Sequence, residues 1–172
     1  MITRSSITWL RSLLLVSLIS SPLALAGDWP QWRGPQGDST STEEQLPLFW
    51  TETTNVAWKA KLPEWGTSTP AIWGDAIFVT SQVDDKLLLL RLDKKTGNTV
   101  WTQEVGTAET KREAEKRTVQ KFHKLHNNAS PSPVTDGECV VVHFGNGDLA
   151  AYDFAGKRLW GHNFQEEFGT YT

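Results

Sequence analysis

Hydrophobic positions along this chain fall in short runs that polar turn residues separate. Four such runs follow one another at Thr67–Ile72, Ala76–Ser81, Lys86–Leu92 and Asn98–Val105. Glycine, aspartate and lysine clusters lie between them. Runs of this length, rich in β-branched residues and bounded by turn residues, are typical of hairpin-connected strands rather than helices. Residues 67–105 are therefore predicted to form one four-stranded antiparallel unit.

The same plan occurs a second time in residues 131–160. The matched pairs are Pro70 with Pro133, Gly74 with Gly137, Asp93 with Asp153, Gly97 with Gly156, and Trp101 with Trp160. One repeat unit cannot bury its apolar face alone, so repeats stack on each other. The predicted fold is all-β, a β-propeller built from four-stranded antiparallel blades. Propellers close with typically four to eight blades, so two copies predict an incomplete propeller and an amino-terminal fragment of a longer design or a truncated reading frame.

Segments of different composition flank the repeats. Residues 27–66 form an arm rich in Trp, Pro and Gly, in which Trp29, Trp32 and Arg33 are candidates for a cation–π stack. The arm ends in Val56–Lys59, which resembles the end of a strand, and Trp58 precedes Trp101 by 43 residues, the length of one blade. Residues 106–127 form a charged insert, a short exposed helix or a solvated loop. Residues 128–172 hold the second blade and the start of the next.

The first 26 residues have the pattern of a secretory signal peptide. Arg4 and Arg11 precede or interrupt a short apolar core, and Ala24-Leu-Ala26 is a small-residue cleavage signal. The alternative, a membrane anchor, needs roughly 18 uninterrupted apolar residues, which this stretch lacks. The sequence therefore predicts cleavage after Ala26, export to the periplasm or the extracellular space, and no membrane span.

Charge and cysteine content limit the kinds of partner, disulfide and membrane anchor that the sequence predicts. The net charge is −3, and removal of Arg4 and Arg11 with the leader leaves 15 basic side chains against 20 acidic ones. No basic stripe is present, which argues against nucleic acid. Cys139 is the one cysteine, so an intramolecular disulfide is impossible. It lies in a strand-like run far from the cleavage site, which predicts a buried free thiol and removes a lipid-anchored form.

The ending Asp-x-x-x-Gly-x-x-x-Trp resembles the pyrroloquinoline-quinone-type (PQQ-like) repeat. It comprises Asp93, Gly97 and Trp101 in the first copy, and Asp153, Gly156 and Trp160 in a second copy that is one residue shorter. The segments 28–35 and 126–137 are similar to those of exported PQQ-like propeller proteins from planctomycete-type bacteria. The resemblance implies that these six residues are scaffold: the Trp wedges between blades, the Gly permits the turn, and the Asp bonds turn amides.

The most site-like stretch precedes the second repeat. Its candidate ligand-binding residues are His123, His126, Asn127, Asn128 and Ser130. They are interpreted either as a metal or polar-ligand site at the propeller mouth, or as hydrogen-bonding groups that order the insert. No metal site is assigned, because two histidines three residues apart lack a third ligand.

Two main functions follow from the resemblance; a third, suggested by a resemblance to the outer-membrane-assembly propeller lipoprotein, is weakened by the missing lipidated cysteine. The first is a non-catalytic binding or scaffold module for a protein or polysaccharide partner. The alternative is part of a PQQ-dependent quinoprotein oxidoreductase, whose site further blades or a second chain would complete. The resemblance implies PQQ with calcium for that alternative, yet a single cysteine excludes a vicinal disulfide, and no carboxylate–amide pattern marks a calcium site. No cofactor is expected from this chain alone, and further blades or self-association are expected to close the propeller.

Overall fold

A computed structural model describes residues 27–44, 46–108 and 124–169 of the chain. The leader 1–26 and most of the charged insert, with His123, lie outside these ranges. The described elements, in chain order, are β1 (Ala71–Trp73), β2 (Ala76–Val83), β3 (Lys86–Asp93), β4 (Thr99–Thr107), β5 (Val134–Thr135), β6 (Cys139–His143), β7 (Asp148–Asp153), β8 (Arg158–Asn163) and α1 (Phe164–Phe168).

The strands form two antiparallel sheets that follow the same order. Strands β1 to β4 make the first blade and β5 to β8 the second, each as a simple up-and-down sheet. Both blades carry a register shift at the matched position, between Arg91 and Leu92 in β3 and between Ala151 and Tyr152 in β7. The predicted all-β fold of four-stranded antiparallel blades is confirmed, and the propeller is open.

The main core lies between the two blades. Successive side chains of a strand point to opposite faces, and the run Leu87–Leu92 of β3 buries both of them. Leu87 and Leu89 face the second blade, where they meet Val140, Val142 and Tyr152. Burying each of these side chains contributes roughly 1.5–3 kcal/mol, so this junction is the main source of stability for the pair of blades.

A second, smaller core covers the other face of the first blade. Leu88, Leu90 and Leu92 pack against Trp58 and Leu62 of the arm. The prediction that Val56–Lys59 ends a strand is wrong: this stretch is not a strand in the structure. Its side chains pack as those of a blade's last strand would. Among the described residues, however, no neighbouring strand pairs with its backbone.

The start of the arm contacts both blades. Trp29 pairs with Ile72 of β1 through two backbone hydrogen bonds of 2.9 and 2.8 Å. The carbonyl of Pro30 accepts from the backbone N–H of Thr135 in β5 at 2.9 Å. The arm therefore joins the first strands of the two blades, and its exposed Trp32 ring has the Arg33 guanidinium 5.7 Å from its centroid.

Candidate functional site: the junction between the blades

Two of the three equivalent tryptophans, Trp58 and Trp101, contact the turn of the following blade. The Trp101 indole N–H donates to the carbonyl of Phe154 at 3.0 Å, and its ring lies against Gly156. The Trp58 indole N–H donates to the carbonyl of Lys94 at 2.9 Å, and its ring lies against Gly97. Phe154 and Lys94 both follow the repeat aspartate. The two contacts are thus equivalent, and we call each one a tryptophan dock.

The turn that receives the ring is built by the aspartate and glycine of the repeat. Gly97 has φ of 72° and Gly156 of 89°, the left-handed region that favours glycine. At Gly97 a Cβ would also overlap the Trp58 ring. The carboxylate of Asp93 accepts from the hydroxyl and backbone N–H of Thr96, each at 2.8 Å, and these bonds hold the pKa of Asp93 below its ordinary value.

The third repeat tryptophan has no such dock within the described residues. Trp160 of β8 is 41% exposed, and its ring lies 5.8 Å from that of His162. Because Val140 and Val142 point into the junction, the alternate residues Cys139 and Val141 of β6 face away from the first blade. We call this second side of the sheet the open face. Cys139 is a free thiol whose pKa is raised by burial, with a further contribution from Asp136.

Three of the five predicted ligand-binding residues form a tight turn that links the blades. Asn127 donates from its side chain to the carbonyl of Trp65 at 3.1 Å, and the backbone N–H of Asn128 donates to Gln82 at 3.0 Å. The Ser130 hydroxyl accepts from Thr67 at 2.8 Å. These bonds tie the segment before β1 and the end of β2 to the start of the second blade.

The five predicted ligand-binding residues do not form one site in the described structure. His126 is exposed, whereas Asn128 is buried with an exposed fraction of 4%. His123 lies outside the described residues. Within the described ranges, no group of three or more His, Cys, Asp or Glu residues is placed to hold a metal ion. The ligand-binding role of these five residues stays a prediction.

A polar cavity that the sequence analysis did not identify lies beside the junction. It has a volume of about 250 Å³ and is lined by Gly106, Thr107, Asn146, Asp148, Asn163, Gln165 and Glu166. The carboxylate of Asp148 accepts from the side-chain amides of Asn146 and Asn163, both at 2.7 Å. It lies so close to Gly106 that a Cβ there would overlap it. A side chain at position 106 would therefore displace the Asp148 carboxylate from its two amide hydrogen bonds.

The wall of this cavity holds buried polar atoms. Gln165 is 6% exposed and donates to the carbonyl of Asn146, while its Oε1 accepts no hydrogen bond from the described residues. Nearby, burial lowers the pKa of His143, against an opposing effect of the Asp148 carboxylate. The one signal in the sequence for this cavity is Asn146-Gly147-Asp148. It is typical of a hairpin turn and does not indicate that Asn163 or Gln165 lies nearby.

Comparison with known proteins places this geometry in a family. Residues 39–171 match the family model described as outer membrane protein assembly factor BamB, a PQQ-like repeat model. The chain belongs to this PQQ-like repeat family. A search of the solved structures finds, among others, BamB from Moraxella catarrhalis, with 18% sequence identity and a TM-score of 0.42. That match covers 62% of this chain and 26% of the BamB chain, so this chain spans about a quarter of it. A search of the curated proteins finds no match.

Membership in the PQQ-like repeat family accounts for the two tryptophan docks. The repeat residues lie at matched places in the two blades; the dock of Trp101 joins the two blades and that of Trp58 joins the arm to the first blade, whereas Trp160 has no dock among the described residues. Within the described residues, no helix has the length and hydropathy needed to cross a membrane.

Proposed function

We propose that this PQQ-like repeat chain is an exported, non-catalytic scaffold module that binds a protein partner through exposed apolar surface. One observation carries the proposal. The arm segment Leu46–Trp50, which we call the apolar segment, exposes Leu48 by 99%, Phe49 by 64% and Trp50 by 67%. Contiguous exposed apolar side chains of this kind mark interaction sites in soluble proteins.

The composition of the apolar segment favours a protein over a polysaccharide. Leu46 and Leu48 are aliphatic and offer neither a flat ring for a sugar nor a hydrogen-bonding group. Aromatic residues are enriched at the cores of protein interfaces, and Phe49 and Trp50 supply them here. The name of the matched family model describes an assembly factor for outer membrane proteins, a role that also requires contact with other proteins.

Polar groups at the blade junction support a scaffold rather than a catalytic site. Asp93, Trp101, Asn127 and Ser130 each make hydrogen bonds that shape turns or join the blades. Export rests on the leader pattern at residues 1–26, with cleavage after Ala26. An exported module of this type would meet its partner in the periplasm or outside the cell.

Site-specific photo-crosslinking tests the proposal. A photoreactive phenylalanine is placed at Phe49 in the full chain, expressed in a bacterium with a periplasm, and irradiated. Glu52, also exposed and three residues along, is the matched control position. We expect a discrete protein adduct from position 49. The adduct from position 52 should be at least fivefold weaker, and Leu48→Ser should weaken the adduct from position 49 by a similar factor.

Three outcomes would contradict the proposal. Equal adducts at positions 49 and 52 would show nonspecific contact. Retarded migration of the purified chain in gels that contain a polysaccharide would favour a carbohydrate partner. A change in absorbance on adding PQQ with calcium at micromolar concentration would instead favour the quinoprotein alternative.

A further inference from the structure

We propose that Glu43 is a binding site for the new amino terminus that export creates at Gly27. This inference rests on the exported function proposed above. The backbone nitrogen of Gly27 donates to Oε1 of Glu43 at 2.6 Å. The predicted cleavage position, between Ala26 and Gly27, therefore coincides with a nitrogen that already contacts a carboxylate.

The arm is held in place directly after this position. The carboxylate of Asp28 accepts from the backbone N–H of Gly74 at 2.7 Å, in the turn between β1 and β2. Trp29 then pairs with Ile72, and Pro30 accepts from Thr135. Three successive residues are thus bonded to the two blades, so the nitrogen of Gly27 has little freedom to move away from Glu43.

The segment that carries Glu43 is shaped by its own turns. Asp38 accepts from the backbone N–H of Thr40 at 3.0 Å, and the hydroxyl of Ser41 accepts from the backbone N–H of Glu43 at 3.1 Å. Together with the arm, this segment encloses a cavity of about 400 Å³ whose lining includes Gly27, Asp28, Glu43 and Trp73. Asp28 and Glu43 are its charged lining residues, so the lining favours a cation.

Cleavage converts the contact between a neutral N–H and a carboxylate into an ion pair. An endopeptidase of the export pathway hydrolyses the Ala26–Gly27 peptide bond: the hydroxyl of water goes to the carbonyl carbon of Ala26, which leaves as a carboxylate. The nitrogen of Gly27 takes protons and becomes an ammonium. The hydrogen bond to the carboxylate is already charge-assisted, and the positive charge of the ammonium adds Coulomb attraction to it, so processing strengthens the hold on the arm.

The pKa of the new α-amino group is the direct readout. A carboxylate next to an ammonium favours the charged form and raises its pKa above the ordinary value of roughly 7.7–8.0. The charged groups that face this nitrogen are Glu43 from the 38–44 segment and Asp28 from the arm. Because Asp28 is present in every variant below, the effect of Glu43 is measured as a difference.

The experiment uses the full chain, exported with its own leader and purified from the periplasm. Intact mass and amino-terminal sequencing first establish where it begins. The α-amino pKa is then measured by competitive acetylation at a series of pH values in low salt. We expect Glu43→Gln to lower this pKa by about half a unit, while the matched control Glu44→Gln shifts it by less than about 0.1 unit.

The two proposals fail in different ways. If the purified chain keeps its leader, or begins at another residue, the predicted cleavage between Ala26 and Gly27 on export is wrong. A second protein, with a site-specific protease sequence inserted between Ala26 and Gly27, gives the same amino terminus without export. If the α-amino pKa in that protein is the same in wild type, Glu43→Gln and Glu44→Gln, the Glu43 inference is wrong whatever the outcome of export.

Discussion

At the scale of single residues, the tryptophan dock makes a sharp stability prediction. Trp101→Phe removes the indole N–H that donates to Phe154 and leaves part of the space between the blades empty. A lost hydrogen bond with an unsatisfied acceptor and a small cavity together cost about 2 kcal/mol. We expect the free energy of unfolding, measured by urea titration with tryptophan fluorescence, to fall by that amount.

Trp160→Phe is the matched control for this prediction. It occupies the same repeat position in β8, but its ring is 41% exposed and no dock holds it among the described residues. We expect a loss of less than about 0.5 kcal/mol at low protein concentration. Equal losses for the two variants would show that the dock contributes little beyond the burial of a ring.

The lowered pKa of His143 predicts that the stability of the folded chain depends on pH. Burial lowers its pKa in the folded chain below the unfolded value near 6.5, so the unfolded chain binds the proton more tightly. The stabilising contribution is therefore full above pH 6.5 and is lost as the pH falls through the folded pKa. We expect the melting temperature to drop between pH 7.5 and 5, with a smaller drop in His143→Gln. A pH profile of His143→Gln that matches wild type would refute this assignment.

Residue-level prediction from sequence worked where chemistry is local. Gly97 and Gly137 could be assigned to turns because positive φ favours glycine, and both adopt it, at 72° and 94°. The cavity beside the junction could not be predicted in this way. Asp148 meets Asn163 across two strands and Gly106 across two blades, and spacing along the chain does not encode these approaches.

At the scale of elements, the short helix α1 depends on Asn163, the residue that precedes it. The side chain of Asn163 accepts from the backbone N–H groups of Gln165 and Glu166, at 3.0 and 3.1 Å, and donates to Asp148. Asn163→Ala removes the cap and the link to β7, which costs about 1–2 kcal/mol. We expect urea titration to show this loss, and Asn163→Ser, which can still cap, to lose roughly half as much.

Five residues were too few for the sequence to reveal this helix. Phe164–Phe168 completes little more than one turn, so no helical periodicity appears in its hydrophobic pattern. The strands of the blades could be predicted, because alternation, turns and a second copy all point to the same boundaries. Val56–Lys59 has the pattern of a strand without the partner that would make it one. A strand is defined by its neighbour as much as by its own residues.

At the scale of the whole molecule, the open face of the second blade sets the association behaviour. The first blade is covered on one side by the arm and on the other by the second blade, whereas no described element covers the open face, where Trp160 is exposed on the edge strand β8. Unpaired edges beside exposed apolar side chains favour pairing with another chain. We expect the sedimentation coefficient of the purified chain to rise between about 1 and 100 µM.

Two neighbouring residues of β8 test whether association depends on the open face or on exposed apolar side chains in general. Trp160 and Leu159 are similarly exposed, at 41% and 49%, but Trp160 pairs with Ala151 on the open face, whereas Leu159 is the extra residue at the register shift and has no pairing partner in β7. Trp160→Lys places a charge where a second copy or a further blade would pack, so we expect at least a tenfold weaker association. Leu159→Lys adds the same charge at the unpaired residue of the register shift, and we expect it to change the association by less than about twofold. Equal effects of the two changes, or a single species at every concentration, would show that the open face does not drive association.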